Sequence, residues 1–496
     1  MRSLVRVMPL VLLAACTAMH AESPASRPNL VVFLVDDLGW QDTSVSFGGP
    51  RTAQQAHFRT PALERLCAEG TRFTQAHSHC VCSPTRVSMM TGANPARHRV
   101  TNWTLRRDQS TDAKQAVLQL PEWNVNGLSP DPATPRSHHA ETLAQRLRST
   151  GYRTIHVGKA HLGAADTPGA DPRNLGFDVS VAGHAAGAPA SHQGTDAYAA
   201  KGRDPVWNVP DLEAYHGTPT FLTDALTTEA LRAVDDALAA GKPFFLHLSH
   251  YAVHTPLQPD ARFVEHYRAL GLDEKEARYA SMVEGMDHSL GRVLEHLDAR
   301  GLAGNTMVVF TSDNGGLSAT ARGGTPHVHN APLRSGKGSA YEGGTRVPLA
   351  VRWPGRAPAN ATVDQPVIAE DLFATLCTAA GAPSGCPDGR SWLPALSGEP
   401  LLDRTLLWHY PNHWGASGPG IGAHSAIRSG DHKLVWFHAE GRFELYDLAN
   451  DPWEQRDLAA AEPGRADALR QLLRERLEEA RAQLPTRTDG KPLTLP

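Results

Sequence analysis

At 496 residues the chain exceeds what one hydrophobic core usually organises, so a large domain with a smaller companion is expected. Apolar residues make up 41% and charged residues 20%, the balance of an ordinary soluble globular protein. A net charge of −4 gives no broad basic field, which argues against nucleic acid as a partner and leaves any anionic ligand to a few local cations.

The chain opens with Arg2 and Arg6 ahead of an apolar run from Val7 to Ala15, too short to span a bilayer and shaped like a signal peptide. The run ends in Leu13-Ala14-Ala15-Cys16, similar to a bacterial lipobox, whose cysteine becomes the acylated first residue. Ordinary cleavage near Ala18 or Ala21 is the competing reading, but Met19 sits badly three residues before a cut after Ala21. Residues 1–15 are therefore expected to be a lipoprotein leader and 16–28 a tether. This implies an exported bacterial protein, periplasmic or at the cell surface, touching the membrane only through lipid at Cys16. No later segment reaches transmembrane length.

Four apolar runs then follow one pattern. Asn29 to Val35 runs into Asp36-Asp37, Tyr152 to Val157 into Gly158-Lys159-Ala160-His161, Pro243 to Ser249 into His250 and on to His254, and Thr306 to Ser312 into Asp313-Asn314. Runs of this kind predict strands buried on both faces of a parallel sheet. Helical periodicity lies between them, over Ala140–Arg148 and Thr223–Ala240, so the fold class is α/β. Ligands in such folds bind beyond the carboxyl ends of the strands, where the polar residues stand. After about residue 400, Trp408-His409-Tyr410, Lys433 to Phe437 and Phe443 to Leu448 predict short strands, followed by a helix with Leu469, Leu472, Leu473, Leu477, Ala480 and Leu484 on one stripe.

Asp36, Asp37, Asp313 and Asn314 offer three carboxylates and an amide oxygen, a set that suits a hard cation and not zinc. Ca²⁺ is expected ahead of Mg²⁺ because its flexible oxygen ligation tolerates a ligand oxygen in the shell. Cys82-Ser83-Pro84-Thr85-Arg86 reads as a helix start, with Pro84 in the first turn and Arg86 on the face of Cys82. A helix start supplies free N–H groups and partial positive charge, which favour an anion.

This C-x-P-T-R stretch resembles the signature of type I sulfatases, in which the first cysteine is oxidised to formylglycine. The segment Gly151 to Gly163 looks like the second signature of that family, Ser249 to Leu257 like its histidine loop, and Pro332 to Pro348 like its glycine-rich lysine loop. Ala160 departs from the pattern, replacing a commonly aromatic packing residue. The resemblance runs from about residue 28 to 460 and implies an alkaline-phosphatase-like sulfatase fold. That fold has a large, mostly parallel mixed sheet between helices (29–398) and a small C-terminal α+β subdomain with an antiparallel sheet (399–496).

It also implies roles. Formylglycine at position 82 is the nucleophile and, with Asp36, Asp37, Asp313 and Asn314, meets the cation; Arg86, Lys159 and Lys337 neutralise sulfate. His161 deprotonates a hydroxyl of the aldehyde hydrate, and His254, with Lys337, protonates the leaving alcohol. A sulfatase-maturing, formylglycine-generating enzyme is the implied partner. The overall pattern looks closest to bacterial polysaccharide sulfatases, which points to a sulfated carbohydrate substrate, with galactose or N-acetylgalactosamine as the expected sugar. Trp103, His409, Tyr410, His413 and His424 are candidate sugar-contacting residues, each of a type that stacks on or hydrogen-bonds to sugars. Cys377 and Cys386 are the cysteines spaced for a short-loop disulfide, and whether they pair stays open. Two rival readings are a phosphomonoester or phosphodiester hydrolase of the alkaline phosphatase superfamily and a non-catalytic, glycan-binding surface lipoprotein.

Overall fold

The structure, a computed structural model, describes residues 27–491 and 493. The leader, Cys16 and most of the tether lie outside the described residues. Strands of three or more residues, in chain order, are β1 (Asn29–Val35), β2 (Thr71–Phe73), β3 (Arg153–Gly158), β4 (Val179–Val181), β5 (Phe244–Ser249), β6 (Thr306–Ser312), β7 (Leu349–Arg352) and β8 (Ala361–Val363), then β9 (Thr405–Tyr410), β10 (His424–Ser429), β11 (His432–Phe437) and β12 (Arg442–Asp447). The first eight form one mixed sheet in the order β8-β2-β7-β6-β1-β5-β3-β4, in which β7 runs antiparallel to both neighbours.

Every residue of β1, β5 and β6 is buried, as expected of strands covered on both faces. Val31, Phe33 and Val35 enter the core built with helices α1 (Pro61–Ala68), α4 (Leu222–Ala239) and α5 (Glu274–Ala299). The alternate residues Leu30, Val32 and Leu34 enter the opposite core, with α2 (Cys82–Thr91), α3 (Leu143–Ser149) and α6 (Asp371–Ala379). Period-two side-chain alternation thus gives one strand two different cores. A capping box starts α3: Thr142 accepts from the Gln145 N–H, and the Gln145 side chain accepts from the Thr142 N–H.

The four remaining strands form a sequential antiparallel sheet. One face packs on Ala340, Tyr341 and Ile368 of the preceding chain; the other packs under α7 (Pro463–Glu479) through Leu469, Leu473 and Leu477. Leu472 and Leu484, placed on the same stripe from the sequence, are only half-buried. Cys377 and Cys386 stand as separate thiols, and Cys386 Sγ donates to the Gly389 carbonyl at 3.3 Å.

The junction of β3 and β5 admits no side chain. Gly158 has φ 99°, and a Cβ there would lie 2.0 Å from the Ser249 carbonyl oxygen, which already accepts the Lys159 N–H at 2.8 Å. Gly158→Ala is expected to lower stability by at least about 2 kcal/mol, as strain and a backbone clash combine. A thermal unfolding midpoint equal to the parent's would refute this.

Candidate active site

Four neighbouring strands end on one edge of the sheet and pass directly into polar residues. β1 leads into Asp36 and Asp37, and β6 into Asp313 and Asn314; the register pairs Val35 with Ser312, so the two polar pairs lie side by side. β3 leads into Lys159 and His161, β5 into the turn bearing His254, and Gly158 pairs with Ser249. Asp37 and His161 hold left-handed backbone, φ 59° and 53°, a conformation maintained only where surrounding contacts impose it. Cys82 is the first residue of α2, whose N-cap, Val81, offers no side-chain bond to the first turn. The positive end of the helix is therefore free beside Cys82.

Arg86 donates through Nε to Asp313 Oδ2 at 2.8 Å, and through Nη1 to the Lys159 carbonyl at 2.9 Å and Ser249 Oγ at 2.7 Å. Lys159 Nζ donates to Asp36 Oδ2 at 2.7 Å, and Lys337 Nζ to Asp37 Oδ1 at 2.6 Å. Three carboxylates therefore meet three cations, all six side chains buried. Burial pushes Asp36 well above the usual carboxylate range, Lys159 opposing and Asp313 and Asp37 adding to the rise. At Asp37 burial also acts upward, but Lys337, His254 and Lys159 outweigh it and hold the group below its ordinary value. Asp313 is held down as well, Arg86 and Lys159 overcoming burial. Burial pushes the Cys82 thiol up against the pull of Lys159 and Lys337, so the unmodified thiol stays protonated and is a poor nucleophile.

Asp36 Oδ1, Asp37 Oδ2 and Asn314 Oδ1 are buried without a hydrogen-bond partner. Unsatisfied buried oxygens are costly and call for another partner. Asn314 Nδ2 donates to Asp37 Oδ1 at 2.8 Å, which fixes the amide so that only its oxygen is spare. Ligand atoms of Asp36, Asp37 and His254 lie within 4.8 Å of one another. Oxygens of this kind fit a hard divalent cation. Asp313 stands beside them already engaged, Oδ2 by Arg86 and Oδ1 by the Asp37 N–H at 3.2 Å.

His161 Nε2 lies 2.8 Å from the Thr104 carbonyl, which can only accept, so Nε2 carries the proton and Nδ1 is a lone-pair acceptor with no partner. Burial, then Lys159 and Arg86, keep the ring neutral. Gly187 makes room for it, since a Cβ there would lie 2.3 Å from His161 Cε1. His254 Nδ1 is 2.9 Å from the Thr255 carbonyl, while Nε2 is 3.6 Å from Asp37 Oδ2; burial pushes this histidine down to about 3 against the pull of Asp37. Two further buried histidines lie outside this set: His247 Nδ1 is 3.0 Å from His156 Nδ1, and His250 Nε2 is 2.9 Å from Ser289 Oγ.

Cys82, Asp37, His161, His254 and Lys337 line one open cavity of about 450 Å³. Trp103 lines it too, as expected of a sugar-contacting residue, but the other four candidates do not. His409 is tied to Ser425 Oγ at 2.8 Å and to the Gln483 carbonyl at 2.9 Å within the C-terminal sheet. Tyr410 packs on Cys80 and Val81 behind the cavity wall, with His424 tilted against its ring. His413 is held by its backbone N–H donating to Asp112 Oδ1 at 3.2 Å. The wall is built instead from Arg203, Trp207 and Trp414, which sequence reasoning missed. Their only signal is tryptophan in segments without periodicity, next to Pro205 and Gly415.

Residues 28–382 match the profile of the family described as Sulfatase, and residues 336–483 that described as N-sulphoglucosamine sulphohydrolase, C-terminal. A relative named Sulfatase, from Formosa agariphila, is 30% identical over 497 residues, covering 88% of this chain and 85% of its own. The N-acetylgalactosamine-6-sulfatase of Canis lupus familiaris is 32% identical over 415 residues, 81% of this chain and 72% of its own. Among solved structures, Ps i-CgsB in complex with k-i-k-neocarrahexaose is 26% identical, with a TM-score of 0.70 over 91% of this chain and 93% of that one.

Arg86→Ala would leave Asp313 buried without its counter-charge and Ser249 Oγ without a donor. A stability loss of about 3–5 kcal/mol is expected from breaking such a pair, read as a lowered denaturant midpoint. An unchanged midpoint would show that the pairing contributes nothing.

Proposed function

The chain belongs to the sulfatase family and is a sulfuric ester hydrolase, and we propose that it removes sulfate from carbohydrate using a formylglycine at position 82 and a bound Ca²⁺. The observation that carries this reading is the placement of Cys82 at the uncapped start of α2, in one cavity wall with Asp37, His161, His254 and Lys337. A hydrated aldehyde there would supply two hydroxyls on one carbon, one to attack sulfur and one to release the product. Asp36, Asp37 and Asn314, with Asp313 beside them, would hold the cation, which supplies Lewis-acid charge to a sulfate oxygen.

The chain's own groups do the rest. With three carboxylates balanced by Arg86, Lys159 and Lys337, a divalent ion makes the pocket net positive, as an anionic substrate needs. The free Nδ1 of neutral His161 is the acceptor for a hydroxyl proton. Lys337 shares the cavity wall and is the charged group available to protonate the departing alcohol; His254 stands beside it as a neutral ring, its Nδ1 proton held by the Thr255 carbonyl.

Carbohydrate as substrate is supported by the names of the relatives, among them several N-acetylgalactosamine-6-sulfatases, and by three tryptophans around the cavity. Sulfated galactose or N-acetylgalactosamine is the proposed unit. The leader and Cys16 support export and lipid anchoring, and a formylglycine-generating enzyme would mature position 82.

Hydrolysis of 4-nitrophenyl sulfate and phosphate by protein from its native host tests the reaction class; sulfate is expected to be the better substrate, and a strong phosphate preference would overturn the reading. Cys82→Ala is expected to lose about 10³-fold or more in turnover. Chelation of divalent ions is expected to abolish activity and added Ca²⁺ to restore it; full activity after exhaustive chelation would rule the cation out.

A further inference from the structure

The cavity has a cation that the hydrolytic centre does not use. Of the charged groups lining it, Lys337 is paired with Asp37, whereas Arg203 has no carboxylate within 4.0 Å among the described residues. Among the described residues its guanidinium makes one hydrogen bond, from Nη1 to the Pro189 carbonyl at 3.3 Å, and lies over the Trp207 ring at 4.8 Å. Burial pushes it down from the ordinary arginine value, with no acid to offset the loss.

The segment that carries it is built to stay in place. Asp204 caps the turn Pro205–Trp207 by accepting the Val206 N–H at 3.1 Å, and it also pairs with Arg106. Arg106 sits three residues beyond Trp103, whose ring lies 6.4 Å from that of Trp207. Here the adjacent acid, Asp204, pairs with Arg106, and Arg203 is left charged in the cavity wall. In the same wall the indole Nε1 of Trp103 is buried with no hydrogen-bond partner among the described residues. Two spare donors beside aromatic faces suit a sugar that bears an acceptor anion.

We propose that Arg203 reads a second anionic group on the substrate, a sulfate ester or a carboxylate near the sulfate ester that is hydrolysed. This rests on the sulfatase reading of the site and narrows it to glycans with more than one charge. A planar guanidinium braced on an indole is suited to bidentate recognition of either group.

The test uses three oligosaccharides with the same scissile sulfate, one bearing no other charge, one a second sulfate and one a carboxylate. For the matured full-length enzyme, kcat/KM is expected to favour one or both charged forms by about 10- to 100-fold, the scale of a charge-assisted pair. Which arm shows the preference identifies the group. Arg203→Gln is expected to erase most of that ratio and Arg203→Lys to keep part of it, thermal midpoints establishing that each variant folds. A ratio near one in the parent, or an unaltered ratio in Arg203→Gln, would overturn the proposal. The same ratios are read as Kd in a Cys82→Ala background. If the parent cleaves none of the three while Arg203-dependent discrimination in Kd persists, the hydrolytic reading fails and the role of Arg203 stands.

Discussion

Asp36, Asp37 and Asp313 lie buried together at the ends of two adjacent strands, and each such charge carries a desolvation penalty of several kcal/mol. They also repel one another, so a fold can hold them only by bringing in matching cations. Arg86 comes from α2, Lys159 from the end of β3 and Lys337 from the glycine-rich segment far along the chain. Charge pairing draws these separate pieces of chain to one point. Cys82 arrives with Arg86 because both lie on the first turns of the same helix, so the thiol is brought to this point by the residue that neutralises Asp313.

The placement of Lys337 depends in turn on the C-terminal sheet. The segment after it carries Glu342, a buried carboxylate met by Lys433 Nζ at 2.9 Å, His77 Nε2 at 2.9 Å and Arg346 Nε at 3.0 Å. Lys433 belongs to β11 and also pairs with Glu454 at 2.9 Å. Tyr341 donates to Glu444 on β12 at 2.7 Å. The smaller sheet thus fixes the loop that carries Lys337 through a second set of buried charges, and its other face is closed by α7. Lys433 and Glu444 face these pairs, while His409 and His424 are bound within the sheet and its edge loops, and none of the four lines the cavity.

Burial separates the site residues that are legible in the sequence from those that are not. Continuous apolar runs that lead into Asp36, Lys159 and Asp313, and through His250 to His254, state both the strand and the position of the site, because burial on both faces leaves only the strand end for polar chemistry. His409, Tyr410 and His424 carry no such signal. Residue type made them plausible in a sugar pocket, but which face a half-buried strand presents depends on what packs over it, and here that is Gln483, Cys80 and the helix behind. β10 carries little strand signal because Ser425, Ala426 and Ser429 dilute its β-branched character; its pairing to β9 and β11 creates the strand. Arg203 and Trp414 lie on irregular segments whose position only the folded chain defines.

The proposed chemistry depends most directly on the chemical state of residue 82. Mass spectrometry of the peptide spanning Cys82, taken from active protein made by its native host, should show an aldehyde in place of the thiol, in proportion to specific activity. Fully active protein carrying only an intact thiol at that position would contradict it.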